Sequence, residues 1–284
     1  ASWGNAGWVS PALTIPLNQP SVLRYAFTAL RDPKSPLHIP LRADPGLAAF
    51  LVRFAANCRW SSWRRAVQAN VPLNEECLEA YDVLTANGVD APTTDAPITA
   101  VFRSPRQAEH LMHELRQMQS EGQPVTATTL SGEELRTRVP LVSPAITAGV
   151  SIEGQRFIDP GRFVHALACS VQDRGAEIRR LDIRRLSTSR AGVEVRSPVA
   201  APVTADAVVV ATGAWLPELI SPPVRVAVRA GRGYSFTVPV ERAMPCPVYL
   251  PDIRVACTPY QGAMRVAGTM EFRGPDEPLA PRRI

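Results

Sequence analysis

Val208-Val209-Val210-Ala211-Thr212-Gly213-Ala214-Trp215 is the stretch on which the fold turns. Residues 207–211 are a short unbroken apolar run, the pattern of a strand buried on both faces, as in a parallel sheet covered by helices. Such a strand would deliver its carboxyl end onto small residues, and Gly213 has no Cβ to block a ligand. Open α/β sheets place nucleotide ligands at that end of their strands. An ordinary strand-to-loop glycine turn gives the same letters, and this segment alone does not choose between the two.

Working outward, the flanking pattern alternates. Upstream, residues 177–183 and 192–196 read as strands joined by polar turns. Before them, Asp159-Pro160 opens a helix with Phe163, Leu167, Ala168 and Val171 on its apolar face, and Gly175 stops it. Residues 148–153 read as extended. Ser131-Gly132-Glu133-Glu134 is a capping box for a short helix that Pro140 ends, and Ser104-Pro105-Arg106-Gln107 is another, opening a helix closed by Gly122. The buried stripe of that helix is Ala108, Leu111, Met112, Leu115 and Met118. Residues 97–103 have strand character, and helices are expected over 22–30, from Asp44-Pro45 through Cys58, and over 73–86. Downstream, strands are expected at 234–238, 254–258 and 264–269.

Composition bounds the function. A chain of 284 residues with 45% hydrophobic and 20% charged residues is a globular protein large enough for two cores. No stretch approaches the roughly 18 to 20 apolar residues of a membrane-spanning helix, and the Ala1-Ser2-Trp3-Gly4-Asn5 start has no signal-peptide character. The net charge of +5 is carried almost wholly by scattered arginines, with Lys34 the sole lysine. A phosphate-tracking surface clusters its cations, so nucleic-acid binding is not expected. Five widely spaced cysteines suit reduced thiols in a cytoplasmic protein better than a disulfide framework or a metal knuckle. His110 and His113 lie three apart on one helix but have no third partner, so no metal is assigned.

Two further segments bear on ligand binding. Ala1-Ser2-Trp3-Gly4-Asn5-Ala6-Gly7 is a run of small residues that lets backbone N–H groups approach a flat ring or an anion. Gly231-Arg232-Gly233-Tyr234-Ser235-Phe236-Thr237, followed by Val255-Ala256-Cys257-Thr258-Pro259 and Arg265-Val266-Ala267-Gly268-Thr269-Met270-Glu271, reads as paired strands of a mixed sheet. Tyr234 could point into a cavity there or simply fill the core.

These segments, in this order, together with Arg53-Phe54, Asn57-Cys58 and Gly175-Ala176-Glu177-Ile178, resemble the D-amino-acid oxidase (DAO) superfamily of FAD-dependent oxidoreductases, and within it the bacterial D-amino-acid dehydrogenases. The resemblance implies a mixed α/β fold: a Rossmann-like FAD-binding domain from residues 1–90 and 154–222, and a mixed-sheet substrate domain from 91–153 and 223–284. It places Ser2, Asn5, Ala6 and Gly7 against the isoalloxazine ring and Ile183 against the adenine. Ala211, Thr212 and Gly213 would lie along the diphosphate and ribitol, with Trp215 nearby, and Tyr234 and Ala256 would face the substrate.

The reaction so implied removes the α-hydrogen of an amino acid as hydride to flavin N5, and the imine hydrolyses to a 2-oxo acid and ammonia. The protein positions and tunes while the cofactor carries the redox step, so no catalytic side chain is assigned. The other partner would be a quinone or electron carrier, met in the cytoplasm or peripherally at the inner membrane. The family's opening strand and G-x-G-x-x-G turn do not precede Ala1, and its arginine-bearing closing region does not follow Arg282-Arg283-Ile284. The chain therefore reads as the middle of such an enzyme, its FAD-binding domain incomplete, and by itself is expected to bind FAD weakly or not at all. Two alternatives stay open: an amine oxidase of the glycine or sarcosine type, and a non-catalytic fragment or partner subunit.

Overall fold

The computed structural model describes residues 2–29, 35–40, 43–190, 192–220 and 228–281. Lys34 and the expected end of the first helix at Leu30 lie outside them. The fold is mixed α/β, centred on an eight-stranded sheet. Its order runs Gly231–Val238, Ala263–Phe272, Val255–Tyr260, Val248–Leu250, Ile98–Phe102, Ala148–Ile152, Ala127–Ser131, with Leu37–His38 added in parallel to Ala263–Phe272. The pairing of Val248–Leu250 with Ile98–Phe102 is parallel and the other pairings along this path are antiparallel.

Strand periodicity divides the sheet into two faces. On the front, Ala100, Phe102, Val150 and Ile152 pack against Ala108, Leu111 and Leu115 of the Pro105–Ser120 helix. On the back, Val101 and Val248 pack with Leu135, Val139, Met244 and Cys246. Every residue of Ile98–Phe102 and Ala148–Ile152 is buried, the polar Thr99 and Ser151 included, so both faces of these strands are covered.

The expected helices are present, with one correction of extent. The third runs Trp60–Ala86 and carries Pro72 inside it, starting well before residue 73. Trp63 and Val67, packed on Met118, anchor the turns ahead of the proline, so burial outweighs the hydrogen bond that Pro72 cannot make. At Ser104 the expected capping box does not form. Its hydroxyl donates to Gln107 Oε1 rather than accepting from a backbone N–H, and Gln107 Nε2 donates to the distant Asp252 Oδ2 at 2.9 Å.

Two expected strands are corrected. Residues 177–183 and 207–211 are irregular, and neither pairs with another strand among the described residues. Val209 is 91% exposed. An apolar run forms a buried parallel strand only when neighbours take up its backbone groups on both edges, and these residues have none. Between them lies a feature the apolar pattern did not announce in full: a three-stranded antiparallel meander, Arg185–Ser189, Gly192–Ser197 and Ala200–Ala205, largely open to solvent.

Candidate functional site

The two irregular loops meet. Residues 181–184 and 211–215 form one wall of a cavity of about 880 Å³, and Ala230–Arg232 with the turn after the last strand form the other. Ser2, Ile183, Ala211, Thr212, Gly213 and Trp215 all line it, so six positions singled out from distant parts of the sequence converge. Gly213 has φ +56°, and a Cβ there would have nothing within 4 Å. The buried Thr212 hydroxyl has no hydrogen-bond partner. Trp215 Nε1 donates to the Asp276 carboxylate at 3.1 and 3.3 Å, tying one wall to the other.

Three guanidiniums, those of Arg184, Arg232 and Arg273, also line the cavity, and the last two were not legible in the sequence. Arg232 donates to the carbonyls of Gly274 at 2.8 Å, Glu277 at 2.5 Å and Pro278 at 2.9 Å, which folds the turn against the strand. Behind them Glu271, only 1% exposed, lies 3.9 Å from Arg232 and 3.5 Å from Arg273. Tyr234 donates its hydroxyl to Glu271 Oε1 at 2.7 Å and accepts from the backbone N–H of Ala280.

Asn5, Ala6 and Gly7 do not line this cavity but cross the front of the sheet. Asn5 Oδ1 accepts from Gly7 N at 2.6 Å, closing a tight turn. Thr258 Oγ1 donates to Ala6 O at 2.7 Å and accepts from Trp8 Nε1 at 2.8 Å, while Ser235 Oγ donates to Gly4 O at 2.6 Å. Gly7 has φ +78°, its carbonyl accepts from Ile158 N, and a Cβ on it would lie 2.2 Å from Ile158 O. Only glycine fits that approach.

Ala256 pairs with Tyr249 on one side and Ala267 on the other, all three on the front face. Tyr234 pairs with Gly268, which pairs with Val255, and these belong to the back. The structure therefore does not bring Tyr234 and Ala256 to one pocket. Trp8 meets Tyr249 edge-on at 5.8 Å, and both line a second cavity of about 700 Å³ between the sheet and the Pro105–Ser120 helix. His110, also on its lining, lies 3.7 Å from Glu114. Burial pushes the Glu114 carboxyl up, against the opposing pull of His110, Gln19, Arg254 and His113. Burial likewise pushes the Cys257 thiol, partly buried against the back-face core, up to about 11.

A family model for FAD-dependent oxidoreductases of the DAO type matches residues 1–284. The chain belongs to the DAO family of FAD-dependent oxidoreductases. It is 30% identical over 291 residues to a D-amino acid dehydrogenase of Methylobacterium radiotolerans, covering 99% of this chain and 70% of that one. Among solved structures, glycine oxidase from Bacillus cereus superposes with a TM-score of 0.62 at 21% identity, over 78% of this chain and 59% of that one. Iminodiacetate oxidase from Chelativorans sp. BNC1 superposes with a TM-score of 0.64 at 15% identity, over 99% and 66%. The chain thus spans about three-fifths to seven-tenths of the length of these three proteins. Among the described residues no helix is long and apolar enough to cross a membrane.

Proposed function

We propose that this DAO-family chain forms the substrate-binding sheet and part of the FAD site of an enzyme that dehydrogenates D-amino acids to 2-oxo acids and ammonia. The observation that carries the reading is the convergence of Ser2, Ile183 and residues 211–215 on one cavity. That cavity borders the sheet whose front face bears Asn5–Gly7 and Ala256. The name of the Methylobacterium relative supports the substrate class.

The lining suits FAD. The orphaned Thr212 hydroxyl can serve a phosphate or ribitol oxygen, and the open side of Gly213 leaves room for close backbone approach. The exposed Arg184 on the lining carries a charge opposite to a diphosphate's, while Arg232 and Arg273 are held by the turn carbonyls and Glu271. Ile183 offers an aliphatic surface for the adenine. FAD held there would supply the acceptor for the hydride lost from the substrate α-carbon. Asn5, Ala6 and Gly7 act as a rigid shelf, because their polar groups are already spent on Thr258, Ile158 and one another and cannot rearrange. Ala256 keeps the adjoining surface low, which leaves space for a substrate larger than glycine.

The test uses the FAD-loaded enzyme without oxygen. D-alanine and larger D-amino acids should bleach the visible flavin absorbance and release ammonia in equal amount, whereas L-enantiomers should not. Bleaching by glycine and sarcosine alone would select the amine-oxidase alternative instead.

A further inference from the structure

Resting on that reading, we propose that the front-face cavity of about 700 Å³ receives the substrate side chain, and that Glu114 selects one ending in a cationic N–H donor, an ammonium or guanidinium. The cavity begins where the substrate would lie. Trp8 follows directly on the Gly7 shelf, and Tyr249 is the cross-strand neighbour of Ala256. A side chain leaving the α-carbon over Ala256 has this space beside it.

The polar groups of the lining fall into two sets. Arg106, His110, Asp252 and Arg254 are exposed. Asp252 is engaged by Gln107, and the Arg254 guanidinium lies 4.7 Å over the Tyr25 ring. Glu114 and Gln19 are the withdrawn pair, with Gln19 only 7% exposed. Gln19 Nε2 is buried, close enough to Glu114 to draw its carboxyl down but without a well-aligned hydrogen bond to it, while Gln19 Oε1 accepts from Ser21 Oγ at 3.3 Å. A buried amide nitrogen without a well-aligned acceptor is costly. So is a withdrawn carboxylate whose one ion-pair partner within 4 Å among the described residues is an imidazole at 3.7 Å, with Arg254 and His113 acting on it from farther off.

A cationic side-chain end corrects both. It supplies donors to the Glu114 carboxylate. Turning the Gln19 amide over then presents Oε1 to the same cation and leaves Nε2 to donate to Ser21 Oγ. An anionic side chain would meet only Arg106 and Arg254, whose charges are exposed and screened by water.

D-lysine and D-norleucine have the same chain length and differ by the terminal ammonium, so they isolate the effect. In the FAD-loaded enzyme, kcat/KM for D-lysine should exceed that for D-norleucine by about tenfold or more, and Glu114→Gln should remove most of that ratio. Calorimetric titration of the same two ligands reads the preference without turnover. Binding of D-lysine that depends on Glu114, in a protein that oxidises no D-amino acid, would uphold the cavity assignment and overturn the proposed reaction. Oxidation of both ligands at a ratio unmoved by Glu114→Gln, or a preference for D-glutamate, would overturn the cavity assignment and leave the reaction standing.

Discussion

Gly213 and Gly7 are both left-handed, yet they answer to different demands. A Cβ on Gly7 would run into the Ile158 carbonyl, so that glycine holds the shelf to the body of the fold. A Cβ on Gly213 would meet nothing in the protein, so, apart from the left-handed φ of +56° that itself favours glycine, its openness serves something that enters the cavity. Gly213→Val should therefore leave the far-ultraviolet circular dichroism unchanged while abolishing flavin retention in the complete enzyme, read as visible absorbance after gel filtration. Normal flavin content in that variant would remove residues 211–213 from the cofactor site. Tyr234 shows where residue-level reading stops. Its place on the opposite face from Ala256 depends on pairing with Gly268 and on a bulge between Arg232 and Tyr234, and register of that kind is set by partners 30 or more positions away rather than by local letters.

Among the elements, the Pro160–Asp173 helix is fastened by the residue just before it. Asp159 Oδ1 accepts from the N–H groups of Gly161 at 2.9 Å and Arg162 at 3.0 Å, and Oδ2 accepts from Gln261 Nε2 at 2.6 Å. Burial raises its carboxyl, but bonds from Arg162, Gln261, Gly161 and Tyr260 together bring it below the ordinary value. A lowered folded value means stabilisation that is complete above the unfolded carboxyl pKa, about 3.9, and is lost as pH falls through the folded value. Asp159→Ala should cost about 1 kcal/mol at neutral pH, and the gap in Tm between variant and wild type should narrow below about pH 4. A gap that persists unchanged in acid would assign the loss to packing. This helix, the one after Asp44 and the capping box at Ser131 and Glu134 were legible because each start is written within four residues. The start at Trp60 was hidden by Pro72, since only distant packing on Met118 supports the turns before it. The convergence of Ile183 and Gly213 was legible only through family resemblance, and Arg232, Arg273 and Glu271 not at all, because a buried ion cluster built on a bulge leaves no periodic trace.

Across the whole molecule, stability is unevenly spread. Ile98, Ala100, Val150 and Ile152 are fully buried at the centre of the sheet, whereas the Arg185–Ala205 meander is largely exposed and pairs only within itself. Hydrogen exchange should follow that division, with amides of Ile98–Phe102 exchanging only through global unfolding and those of the meander exchanging first, by local opening. Equal protection in the two regions would mean that the meander is held by contacts these residues do not show. The threads from Thr258 to Ala6 and Trp8 carry a last consequence, for synthesis. They join residues about 250 positions apart, and at roughly 5–20 residues per second the ribosome needs about 12 to 50 s to make that much chain. For much of that interval Trp8–Val9 has only its pairing with Arg156–Phe157 to hold it, and Gly4–Ala6 waits for the Thr258 strand. The Asn5–Gly7 turn is thus fixed late in translation, and the yield of folded protein in the cell should depend on chaperones that occupy newly made chain during the wait.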